Sequence, residues 1–170
     1  MTSVLFDFSD PGSMVLWNPI NDGVMGGVSI SQLHYDPAGH AIFDGKVSFD
    51  NNGGFASVRC QPGDYGREDV LAYLLEVRGD GKRYKLNLRT DNSFDGVNYQ
   101  AQFDAPAGVW TSCRLVSADF LPTWRGRSVP DAPPLDTARV RQIGLMIADR
   151  QEGSFSLAIA RIVAEKSVQS

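Results

Sequence analysis

Residues 82–90 and 97–103 place hydrogen-bonding side chains at every second position. Arg83, Lys85, Asn87 and Arg89 alternate with Tyr84, Leu86 and Leu88. Asn98, Gln100 and Gln102 alternate with Val97, Tyr99, Ala101 and Phe103. A period of two belongs to strands with one buried face and one wet face. Paired as a hairpin, the two segments lay their polar side chains next to each other. A solvated face is usually dominated by Lys, Glu, Ser and Thr. This one carries planar amides and guanidinium groups, which make several directed hydrogen bonds each. Such a face suits sugar hydroxyls, carboxylates or a partner's backbone. The plainer alternative is an ordinary wet sandwich face, and the residues leave both open. Trp17, Trp110 or Trp124 at its rim would supply an apolar platform.

A second concentration runs from Trp17 to Ser31, WNPINDGVMGGVSIS. Asn21-Asp22-Gly23 is turn chemistry, since Asn and Asp bond their own backbone and Gly takes positive φ freely. Gly26 and Gly27 follow, and alternation begins at Val28 and Ile30, so this loop feeds a strand. A phosphate-cradling loop feeds a helix and has different glycine spacing. Two readings stand: a tight turn with a buried Trp17 at its foot, or a contact surface using Trp17, Asn21 and Asp22.

Reaction chemistry is not visible. The chain has no G-x-S-x-G, no H-E-x-x-H and no recognisable Cys–His or paired-carboxylate pattern. Asp22, Asp80, Asp91 and Asp149 sit beside Gly or Asn or at strand ends, where turn capping is their expected role. The D-x-D-x-D-G pattern of a calcium loop is absent. His34 and His40 lie far in sequence from Cys60 and Cys113, which argues against zinc. The cysteines lack motif spacing and read as free thiols in a reducing compartment. No catalytic residue, metal or cofactor is expected, and the chain does not read as an enzyme.

The elements that position these residues follow from length and patterning. A chain of 170 residues, 42% hydrophobic and 21% charged, suits one globular domain over 1–170. The net charge of −4 argues against a nucleic-acid partner. No apolar run reaches membrane-spanning length. The start, MTSVLFDFSD, shows no basic region followed by an apolar one, so no signal peptide is expected and a cytoplasmic location is.

Strands are expected at Val4–Phe8, Ile30–Tyr35, Ala41–Phe49 (with Phe43, Val47 and Phe49 inward), Phe55–Cys60, Val70–Val77, Lys82–Thr90, Val97–Phe103, Gly108–Val116, Val140–Asp149 and from Phe155 onward. Gln61–Asp69 reads as a loop, Ser117–Pro134 as irregular, Asp136–Arg141 as one helical turn, and Glu165–Ser170 as a fraying tail. About ten short strands with Gly, Asn, Asp and Pro turns, and no long helix, argue an all-β sandwich or barrel.

Several stretches, in order, resemble the complex I intermediate-associated protein 30 family: NDGVMGGVSIS (Asn21–Ser31), FDGKVSFDNNGGFASVR (Phe43–Arg59), VRGDGKRYKLNLRTD (Val77–Asp91), VNYQAQF (Val97–Phe103), DFLPTWRG (Asp119–Gly126) and IGLMIADRQEGSFSLAI (Ile143–Ile159). The resemblance covers nearly the whole chain. It implies a galactose-binding-like jelly-roll β-sandwich, in agreement with the strand pattern. It also implies a non-catalytic assembly factor that binds a protein partner, an assembly intermediate of respiratory NADH:ubiquinone oxidoreductase. The alternative is a carbohydrate-binding module using the polar sheet face. The ligand- or partner-binding candidates are Trp17, Asn21, Asp22, Arg83, Asn87, Arg89, Asn98, Gln100, Trp124 and Arg125. Oligomeric state is left open.

Overall fold

The computed structural model describes residues 1–21, 29–50, 54–92, 96–125, 127–148 and 151–167. Among these, β1 (Thr2–Asp7) leads to a 3-10 turn at Pro11–Leu16, capped by the Asp10 side chain, and then to β2 (Trp17–Pro19). There follow β3 (Ile30–Asp36), β4 (His40–Val47), β5 (Ala56–Cys60), β6 (Val70–Arg78), β7 (Arg83–Arg89), β8 (Asn98–Asp104) and β9 (Trp110–Val116). The chain continues with β10 (Leu121–Trp124), β11 (Arg127–Ser128), β12 (Gln142–Ile147) and β13 (Gly153–Lys166).

The strands form two antiparallel sheets. The first has the order β3-β4-β13-β6-β9, with β1 also on β13. The second has the order β11-β10-β8-β7-β12-β5-β2. The inward positions of both sheets make one core. Tyr84, Leu86 and Leu88 of β7 are fully buried, as are Ile143, Leu145 and Ile147 of β12. Phe43, Leu75, Val77, Leu157 and Ile159 meet them from the first sheet. The Phe43 and Tyr84 rings cross between sheets edge to face, with centroids 6.2 Å apart. The expected all-β jelly-roll sandwich is the observed architecture.

Three local expectations change. Phe49 lies beyond the end of β4 and is 39% exposed, so alternation stops at Val47. Glu165 and Lys166 belong to β13 and are paired with β6, and Glu165 also faces Thr2 of β1. The register shift between Ile159 and Arg161 breaks the apolar alternation, which hides the strand's full length in the sequence. Inside 117–134, a 3-10 turn at Ser117–Asp119 and strands β10 and β11 extend the second sheet. The helical turn expected within 136–141 is a 3-10 turn at Thr137–Arg139, capped by the Asp136 side chain. The Asp22-Gly23 and Gly26-Gly27 positions, and the Asn51-Asn52-Gly53 turn, lie outside the described residues.

Candidate binding face on the second sheet

The expected β7–β8 hairpin forms. Asn87 pairs with Gln100, Lys85 with Gln102 and Arg83 with Asp104. Directly opposite residues share a face, and the other face of both strands is core. Arg83, Lys85, Asn87 and Arg89 therefore stand beside Asn98, Gln100 and Gln102. The neighbouring strands extend this surface. Gly144 and Met146 of β12 pair with Asn87 and Lys85, and Gln142 pairs with Arg89. Arg59 of β5 pairs with Gly144 on one side and Asn18 of β2 on the other. Across β8, Leu121 pairs with Gln100 and Thr123 with Asn98.

The middle of this face is more enclosed than a wet face. Asn87 and Asn98 are each 8% exposed and Arg89 is 9% exposed. Arg89 Nη1 donates to the Gly96 carbonyl at 3.0 Å, and Gln142 Nε2 donates to the Asp91 carbonyl at 3.0 Å. The side-chain oxygens of Asn87 and Asn98 are buried without a hydrogen-bond partner. A buried unpaired amide oxygen costs about 1–3 kcal/mol, so two on one hairpin call for an explanation. Gln100 Nε2 has a weak contact, 3.6 Å, with the Met146 sulfur. Gly144 leaves a bare place between Asn87 and Arg59. A Cβ there would stand 2.9 Å from the Val58 carbonyl oxygen and 3.6 Å from the Asn87 Cβ.

The other candidates lie elsewhere. Trp17 is core: it is 6% exposed and meets the Phe6 ring edge to face at 5.1 Å. It pairs with buried Cys60 on the inward side of β2, away from the polar face. The Asn21 side-chain oxygen accepts the Ser57 N–H at 2.9 Å and the Ser31 hydroxyl at 2.6 Å, so it ties strands together. Asp22 lies outside the described residues. Arg83 is exposed at the far end of the hairpin, 3.7 Å from Asp104. Trp110 belongs to the first sheet, with the Arg78 guanidinium 5.2 Å from its ring centroid. Trp124 and Arg125 close β10 at the edge of the second sheet. Trp124 is 40% exposed, and the Arg125 guanidinium lies 4.7 Å over its ring. Arg59, Gln142, Gly144 and Met146 join the face without having been singled out. The alternation in 56–60 and 142–147 carries that signal, once the order of strands is known.

Two other features have structural roles. Asp80 accepts hydrogen bonds from the Tyr84 hydroxyl and the Ser156 and Lys82 N–H groups, all within 3.1 Å. Burial and the nearby carboxylate push the Tyr84 phenol above its usual pKa. Cys60 accepts the Ile143 N–H at 3.2 Å, and burial raises its thiol to about 11. Both cysteines are free. A cleft of about 470 Å³ lined by Glu68, Asp69, Phe120, Leu135 and Asp136 lies apart from the polar face. Among the described residues no group of three His, Cys, Asp or Glu side chains is placed to hold a metal. Among the same residues no helix is long and apolar enough to cross a membrane.

Two antiparallel sheets around one core define a jelly-roll β-sandwich. The solved structures agree. The family 11 carbohydrate-binding module of a cellulosomal cellulase from Clostridium thermocellum superposes with a TM-score of 0.75 at 12% identity, covering 100% of this chain and 97% of that one. The same module in complex with a mixed-linked β-1,3-1,4 tetrasaccharide gives 0.74 at 13% identity, covering 99% and 98%.

Sequence comparison narrows the class. The family described as Complex I intermediate-associated protein 30 matches residues 6–159, and the chain belongs to that family. The Drosophila melanogaster protein "Complex I intermediate-associated protein 30, mitochondrial" is 26% identical over 93% of this chain, which spans 61% of it. A "Probable complex I intermediate-associated protein 30, mitochondrial" of Caenorhabditis elegans is 26% identical over 78% of this chain, which spans 45% of it. The names of these relatives place them in mitochondria, in contrast to the cytoplasmic expectation.

Proposed function

We propose that the chain is a non-catalytic binding domain that holds a protein partner, an assembly intermediate of respiratory NADH:ubiquinone oxidoreductase. Family membership over residues 6–159 carries this reading. The edge of the second sheet supplies an anchor of suitable chemistry. Trp124 and Leu121 are exposed on β10, and Arg125 is stacked on Trp124. Trp and Arg are enriched among the few residues that dominate binding in protein interfaces.

The likeness to carbohydrate-binding modules, at 12–13% identity, is one of fold. The test is a tagged pull-down from the native host read by mass spectrometry. Recovery of NADH:ubiquinone oxidoreductase subunits with the parent chain, and their loss with Trp124→Ala, is the expected result. Failure to recover any such subunit overturns the reading. Undiminished recovery with Trp124→Ala removes the β10 anchor from it.

A further inference from the structure

We infer that the outer face of the β7–β8 hairpin binds a neutral saccharide, whose hydroxyl groups donate to the side-chain oxygens of Asn87 and Asn98. The partner-binding reading rests on Trp124 and Arg125 at the end of β10, whereas this inference rests on the asparagines of β7 and β8. The two asparagines are more than nine-tenths buried, sit on the non-core face, and leave both oxygens without a donor. Asn87 pairs with Gln100 and Asn98 lies two residues before it on β8, so the amides are diagonal neighbours. Sheet geometry sets such a pair roughly 7–8 Å apart, a separation one sugar unit with hydroxyls at both ends can bridge. Both oxygens are enclosed, and the last side-chain torsion of asparagine is broad and two-fold, so each amide must turn to bring its oxygen out to an arriving hydroxyl.

The donor balance selects the ligand. Two unfilled acceptors require a group that brings protons. A hydroxyl donates one hydrogen bond and accepts others, so it serves the asparagine oxygens and also takes the weakly engaged Gln100 amide as donor. A carboxylate or a fully ionised phosphate brings no proton and leaves both asparagine oxygens unmatched. Gly144 keeps the floor beside Asn87 free of a side chain. Met146, two residues on, gives an apolar surface for the C–H side of a sugar ring.

The test titrates the full chain with cellotetraose, galactotetraose and mannotetraose, and with tetragalacturonic acid as the anionic counterpart. Side-chain amide NMR signals are the readout. At least one neutral tetrasaccharide is expected to shift the Asn87 and Asn98 signals. Asn87→Leu and Asn98→Leu remove an unpaired polar group, so both should keep or raise the melting temperature. Each should also weaken binding roughly tenfold. Asn98→Ala serves as the second variant if leucine disturbs packing, with the melting temperature reporting that the fold is kept. The inference is overturned if no neutral probe moves these signals at millimolar concentration, or if tetragalacturonic acid alone binds. It is also overturned if an extended peptide binds the face and no sugar does, or if sugar binding is unchanged in the variants.

Discussion

The side-chain oxygen of Asn21 and the backbone N–H of Ser57 meet at 2.9 Å where the two sheets approach each other. Ser57 is on β5 of the second sheet, and the Ser31 hydroxyl, which donates to the same oxygen, is on β3 of the first. The Ser57 hydroxyl in turn donates to the Ile20 carbonyl, and Ser57 is 4% exposed. Asn21→Ala leaves a buried N–H unpaired, so it should cost about 1–3 kcal/mol. Asn21→Asp keeps an acceptor and should cost less. Urea unfolding checks this, with a lower midpoint and an unchanged slope. A loss below about 0.5 kcal/mol, the scatter of ordinary surface changes, would show that the tie is incidental.

Arg89 and Gln100 share a face but differ in what they support. Arg89 is nearly buried and holds the Gly96 carbonyl, whereas Gln100 makes one weak contact with sulfur. Arg89→Ala should therefore destabilise by about 1–3 kcal/mol, through the unpaired carbonyl and lost packing. Gln100→Ala should stay within about 0.5 kcal/mol of the parent. Thermal unfolding of the two variants side by side separates them, and equal melting temperatures would contradict the difference.

Cys60 gives the fold an alkaline limit. Burial raises its thiol from 9.0 to about 11. Between those values the unfolded chain loses its proton while the folded chain keeps it, so the folded state binds more protons and stability falls as pH rises. The contribution is complete below pH 9.0, declines through the window and is gone above about 11. A rise from 9.0 to about 11 corresponds to about 2–3 kcal/mol. Urea midpoints at pH 8 and pH 10.5 should differ less in Cys60→Ala than in the parent. Identical pH slopes would remove Cys60 as the cause. In the folded state at neutral pH, a thiol reagent should label half-buried Cys113 before Cys60.

The hairpin's polar face was legible because Lys82–Thr90 and Val97–Phe103 alternate without interruption; the register that sets Asn87 opposite Gln100 was not, because a slip of two residues keeps the same face. The wider face was not, since Gly144 and Arg59 meet Asn87 through pairings of strands far apart in sequence. Periodicity cannot order strands within a sheet. Trp17 carried two readings, a buried foot of the turn or a rim aromatic, and its pairing with Cys60 on the core side of β2 decides for the first. In a three-residue strand there is too little alternation to tell the two faces apart. β13 was cut short because its register shift puts Ala160 and Arg161 where apolar alternation should continue.

Asp80 and Tyr84 supply a final prediction, at a turn expected to be capped by its aspartate. The Tyr84 ring is fully buried between Phe43, Phe103 and Phe155, yet its hydroxyl reaches the Asp80 carboxylate at 3.0 Å. That carboxylate also accepts the Ser156 N–H at 2.9 Å, so one side chain links the turn before β7 to β13 of the opposite sheet. Tyr84→Phe keeps the ring and removes a hydrogen bond to a charged acceptor, which should cost about 1.5–3 kcal/mol. Asp80→Ala strands the Tyr84 hydroxyl and the Ser156 N–H together and should cost more. Because both changes remove the same contact, the double variant should lose less than the sum of the single losses. A double-mutant cycle by urea unfolding measures this. Strict additivity would show that Asp80 acts on the backbone alone and that the Tyr84 hydroxyl contributes nothing to the link.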